Sequence, residues 1–165
     1  MTRVPSLQVE LAAALDALIG ELRGGAGSAH LAVRPLALGW ATVDLDRAAR
    51  QLVARLPGSG PLDPAPPDAL LGARCLLGPL VGLPGAPSDL RLAVLEPSTE
   101  GRLAATLAQR GEGPAAVWVE LDGSVAGPLS RTGAGPFGPE RLLLGGPAHG
   151  PHLLIVSERT STIRA

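Results

Sequence analysis

The sequence predicts an α+β fold, and three observations carry that prediction. Apolar runs of strand length alternate with segments of helical periodicity. Twenty-two Gly and seventeen Pro punctuate those runs as turns. Finally, "VDLD" at Val43–Asp46 is echoed by "VELD" at Val119–Asp122, each beside a strand candidate. The echo divides the chain into two related β-led halves. A helix follows the first copy, whereas Gly123, Gly127 and Pro128 weaken or abolish it after the second.

The elements follow in order. Ser6 can cap a first helix in which Leu7, Leu11, Leu15, Leu18, Ile19 and Leu22 recur at helical spacing until "GGAG". Its apolar side must pack on its own sheet or on a second copy. "LALGWATV" (36–43) is a strand running into Asp44, an N-cap for "LDRAARQLVARL". "PGSGPLDPAPPD" is expected to be a surface loop, because its prolines oppose regular pairing. "ALLGARCLLG" (69–78) and "LRLAVLE" (90–96) are strands. Ser98 or Thr99 can cap the helix "EGRLAATLAQR", and Gly111 can end it. "AAVWVEL" (115–121) is a strand, the glycines at 133–135 belong to a loop, and "ERLLLGG" with "PHLLIVSE" forms a closing pair.

The 165 residues suit one main domain: an N-terminal helix and linker over 1–30, the domain proper over 31–158, and a loose tail over 159–165. Net charge is −1 with two Trp, one Phe and no Tyr, so the electrostatic footprint and the stacking platforms of nucleic-acid binding are both missing. No apolar run reaches membrane-spanning length, and acidic residues in the first segment argue against a signal peptide. The lone Cys75 excludes an internal disulfide and fits a reducing cytoplasm. All fourteen basic residues are Arg, as a GC-rich bacterial genome would give.

"LGWATVDLDRAARQL", "LAVLEPSTEGRLAATLAQRGEG" and "AAVWVEL", in that order and spacing, resemble the vicinal oxygen chelate superfamily over roughly residues 36–156. Within it the glyoxalase and methylmalonyl-CoA epimerase type is most similar. The resemblance implies paired βαβββ-like modules forming a cupped, mostly antiparallel sheet, here with an extra N-terminal helix. It also implies a homodimer as a common state. Metal-dependent members place one ligand on each of four strands. Those positions fall near Ala37, near Ala93, at Ala115 or Ala116, and near Leu154, so the usual metal site is expected to be absent. No cofactor is expected either.

What remains polar is sparse. Glu96 and His152 are the catalytic candidates. A strand-end carboxylate can act as a base, but Glu96 can equally pair with Arg91 or Arg102 or meet a helix start. His149 and His152 stand three apart, either as a substrate-facing pair or as exposed turn residues, and His30 lies in the linker. Arg74 would grip an anionic or carbonyl ligand if it points inward, with Cys75 facing the other way. Trp40 and Trp118 are expected on the same type of face, as ligand contacts or core, and Phe137 sits on a loop able to close over a pocket. The expected function is metal-independent binding of a small, largely apolar organic molecule or acyl compound in the cup. The alternatives are a metal-free isomerase, lyase or cyclase, and a non-catalytic assembly scaffold.

Overall fold

The computed structural model describes residues 6–25, 32–123, 125, 127–145 and 150–157. In chain order the elements are α1 (Leu7–Gly25), β1 (Ala32–Ala41), α2 (Leu45–Arg55), β2 (Asp63–Asp68), β3 (Ala73–Pro79), β4 (Arg91–Pro97), α3 (Arg102–Arg110), β5 (Gly113–Asp122), β6 (Gly133–Gly135), β7 (Gly138–Leu142) and β8 (His152–Val156). All eight strands join one sheet in the order β2-β3-β4-β1-β5-β8-β7-β6. The β1–β4 and β5–β8 pairs are parallel and the other pairs are antiparallel. The two halves are thus β1-α2-β2-β3-β4 and β5 to β8, and no helix lies between β5 and β6 among the described residues. The Ala69 N–H donates to the Ala134 carbonyl at 2.9 Å, tying the turn after β2 to β6. The sheet therefore curls into a nearly closed cup.

Alternation along the strands gives the sheet two apolar faces. On the convex face, Leu38, Leu92, Val94, Val117, Val119 and Leu153 join the buried leucines of α1 and α2. Leu7, Leu11, Leu15, Leu18 and Leu22 of α1 are all buried, and the helix packs against β5 and β1. Of the two options for that helix, covering its own sheet is the one realised. Covering β5 gives the second half the helical cover that its own sequence no longer provides. No helix among the described residues is long and apolar enough to cross a membrane.

Three local expectations are corrected. The proline-rich "DPAPPD" forms β2, pairing Asp63 with Leu77, Pro64 with Leu76 and Ala65 with Cys75, before an irregularity. It succeeds because β2 is an edge strand, where proline loses no bond to a second neighbour. Gly133–Gly135, expected in a loop, is the short strand β6 against β7. At α3 the N-cap is Gly101 and no side chain caps it; the Ser98 hydroxyl donates instead to the Gly72 carbonyl at 3.2 Å.

Three acidic residues gather at the start of α2, and they explain why "VDLD", "LEP" and "GEG" recur in one pattern. The Asp44 carboxylate accepts from the Arg47 N–H at 2.9 Å, and Glu96 Oε2 accepts from the Leu45 N–H at 2.9 Å. Glu112 Oε1 accepts from the Thr42 hydroxyl at 2.6 Å, the Val43 N–H at 3.0 Å and the Arg47 guanidinium at 2.6 Å. Donors left open by the first turn of a helix, and its dipole, both favour negative charge there.

Leu11→Ala should destabilise the fold by about 2–5 kcal/mol in urea denaturation, as a cavity-forming change in a core does; a helix only loosely attached would give almost no change. Thr42, then Val43 and Arg47, hold the Glu112 carboxyl below its ordinary value. Its contribution to stability is therefore present above the unfolded value near 4.5 and lost as pH falls through the lower folded value. Glu112→Gln should cost about 1 kcal/mol at pH 7, and the difference from the parent should shrink in acid denaturation curves.

Candidate functional site

Inside the cup, the four central strands β4, β1, β5 and β8 present Ala93, Ala37, Ala116 and Leu154, all fully buried in one cluster. These are the positions at which the resemblance would put metal ligands. Aliphatic carbon has no lone pair to offer a divalent cation. Among the described residues no three His, Cys, Asp or Glu side chains gather to hold one. The residues present do not fit such a metal.

The space is taken by Trp118, which is fully buried. Gly39 makes room for it: a Cβ there would stand 2.9 Å from Trp118 Cζ3 and 3.1 Å from both Ala116 Cβ and Leu95 Cδ1. The indole N–H donates to Glu140 Oε2 at 2.9 Å. Glu140 in turn hydrogen-bonds Asp68, and both carboxyls are buried. Asp68 Oδ1 accepts from the Leu71 N–H at 2.8 Å. Asp68 Oδ2 and Glu140 Oε1 receive no N–H or hydroxyl donor, so a proton shared by the two acids satisfies both. Burial first, then the bond and charge of Asp68, push Glu140 up to about 9, and burial also raises Asp68. Glu140 is consequently the protonated partner at neutral pH. A Cβ on Gly135 would collide with its carboxyl, so glycine is required at that point of β6. Cys75 lies in the same cluster; burial pushes its thiol up to about 12, and it packs as a small apolar group rather than a nucleophile.

The cup opens at its other end into a cleft of about 510 Å³. Leu36, Leu77, Phe137 and Val156 form its apolar wall, with Pro136 beside them, and Arg91, Glu120 and Ser157 are its polar members. Phe137 and Trp118 meet with ring centroids 5.8 Å apart, inclined at 60°, so the lining ring rests on the buried one.

No protein-family model matches the sequence, and no match is found among curated proteins. Solved structures do match. A methylmalonyl-CoA epimerase in complex with methylmalonyl-CoA and ammonium is 18% identical, with a TM-score of 0.60 over 78% of this chain and 96% of that one. The epimerase from Mycobacterium tuberculosis is 20% identical, with a TM-score of 0.56 over 74% of this chain and 86% of the other. A single-substitution variant of the Streptomyces coelicolor epimerase, in complex with 2-nitronate-propionyl-CoA, is 18% identical, with a TM-score of 0.59 over 77% of this chain and 95% of its own. The fold is that of the vicinal oxygen chelate proteins.

Within that vicinal oxygen chelate fold, most of the expected site residues sit away from the cleft. Glu96 lies on the convex side, capping α2 and pairing with Arg74 at 2.6 Å. Its partner is thus neither Arg91 nor Arg102, and the helix it caps precedes it in the chain. Arg74 points outward, largely exposed, because Cys75 beside it on β3 takes the inward direction. His152 is inward but buried, with Nε2 2.9 Å from the Thr106 hydroxyl of α3, so it is not an exposed turn residue. That hydroxyl donates to the Arg102 carbonyl, which leaves it to accept from the ring. Trp40 packs into the convex cluster and Trp118 into the concave one, so the two do not share a face. Parity counted back from Val43 misleads because β1 has already ended at Ala41. Among the described residues, Phe137 alone of those expected lines the cleft. His149 and His30 lie outside the described residues.

Sequence reasoning missed Asp68, Glu140 and Arg91. A signal for Glu140 existed: in "GPERL" it shares the inward parity of Leu142. Asp68 was hidden by reading its strand as a loop. Because the native state holds a proton on Glu140 that the unfolded chain releases near 4.5, this contribution is complete below about 4.5 and declines as pH rises toward about 9. Glu140→Gln keeps a neutral donor to Asp68 and an acceptor for Trp118. Melting curves from pH 5 to 9 should therefore flatten in the variant, which should exceed the parent by on the order of 1 kcal/mol at pH 9; an unchanged slope would assign the pH dependence elsewhere.

Proposed function

We propose that the protein binds a small, largely apolar organic molecule or acyl compound at the mouth of the cup, without a metal. One observation carries the reading: the donor positions have become carbon while a cleft of about 510 Å³, walled by Leu36, Leu77, Phe137 and Val156, persists above them. That volume lies in the range of small-molecule sites, and its lining sets five apolar residues beside three polar ones. The neighbours of this fold that hold methylmalonyl-CoA or a propionyl-CoA analogue support an acyl compound as one class of ligand.

Metal-free proton transfer is the weaker reading. Glu96 is committed to α2 and Arg74, His152 is buried under α3, and the Asp68–Glu140 pair is fully buried. A base must reach the proton it removes, and none of these groups lines the cleft. The wall that would hold an apolar ligand is complete without them.

The neutral fluorophore N-phenyl-1-naphthylamine is a suitable probe. It should bind with one-to-one stoichiometry, and dialysis against EDTA should change neither its Kd nor the melting temperature. Ser157→Trp places an indole at an exposed lining position and should abolish that binding while the fold survives. Retention of the probe by this variant, or its loss after EDTA, would overturn the reading.

A further inference from the structure

We infer that Arg91 is an anion anchor, and that the ligand of the cleft is an amphipathic organic monoanion with a carboxylate-type head on an apolar body. This rests on the reading of the cleft as a binding site and names the chemistry of its occupant.

Arg91 opens β4 and shares the inward parity of Ala93 and Leu95, both of the concave cluster, whereas Leu92 and Val94 face the helices. Its guanidinium consequently lines the cleft rather than the convex surface. Among the described residues it has no ion-pair partner, although other arginines do. Arg34 pairs with Glu120 at 2.7 Å and with Asp89, Arg47 with Glu112 at 2.6 Å, and Arg74 with Glu96 at 2.6 Å.

The one carboxylate of the lining, Glu120, is already engaged by Arg34 rather than by Arg91. Arg34 approaches from outside the cleft and holds Glu120 with one nitrogen and Asp89 with another. Arg34 divides one charge between two carboxylates, whereas Arg91 is the one cation of the lining and has no ion pair among the described residues. A guanidinium presents parallel N–H groups that match the two oxygens of a carboxylate, and Ser157 adds a hydroxyl on the same lining. One cation with one hydroxyl suits a single negative charge. A dianionic phosphate would leave one charge unmet and lie near Glu120. Leu36 and Leu77, on the strands flanking β4, and Phe137 take the apolar body.

The test compares two probes built on the same aryl framework: 8-anilinonaphthalene-1-sulfonate, a monoanion, and N-phenyl-1-naphthylamine, which lacks the charged group. The full chain should bind the anion more tightly than the neutral probe, with the preference shrinking in 1 M salt. Arg91→Leu should weaken the anion at least tenfold and change the neutral probe less than twofold. Arg91→Lys should keep most of the preference. Because Arg91 is exposed and has no ion-pair partner among the described residues, both variants should melt as the parent does. An Arg91→Leu variant that binds the anion normally, or that loses both probes alike, overturns the assignment. If the neutral probe binds the parent and the anion is not preferred, only the anchor falls. Failure of both probes removes the cleft itself as a site.

Discussion

A single N–H inside a carbon-lined cup constrains much of this molecule. An indole large enough to fill the floor brings one donor with it, and a buried donor without an acceptor costs free energy that a small domain cannot spare. Glu140 answers Trp118, but a buried carboxylate is itself costly, so it keeps its proton. That proton then needs Asp68 as its acceptor. The chain of consequences runs from β5 through β7 to β2, and so links the two margins of the sheet that the Ala69–Ala134 bond also joins. Gly39 and Gly135 are glycines because the indole and the carboxyl occupy the space a Cβ would need.

This arrangement also relates the fold to the proposed role. Where the resemblance would set four donors around a cation, the cup instead holds a packed floor of Ala, Leu and Trp with a polar knot behind it. A rigid floor fixes Phe137 from below through its contact with Trp118. The cleft is therefore a preformed surface resting on a solid core, suited to holding a ligand by shape and by a few peripheral polar groups.

Much of the fold was legible in the sequence because its signals were local. Asp44 before an apolar-periodic run, Gly111 after one, and the loss of a helix around Gly123, Gly127 and Pro128 all act within a few residues. The βαβββ pairing came from the order of three stretches, and the gathering of Asp44, Glu96 and Glu112 at one helix start shows why that order is diagnostic. The site was less legible because orientation depends on where a strand stops and what lies across it. Trp40 and Arg74 sit on strands as expected, yet the end of β1 at Ala41 and the inward turn of Cys75 send both to the convex side. The partnership of Asp68 with Glu140 joins residues far apart in sequence, from a segment whose prolines read as loop.

The position of α1 has a consequence for assembly. The helix that shields β5 precedes that strand by roughly a hundred residues. Joining them closes a ring of chain far larger than the β3–β4 or β7–β8 pairings require, and chain entropy opposes large rings more than small ones. The amino-terminal leucines are thus a clasp whose full burial requires β5 to stand beside β1.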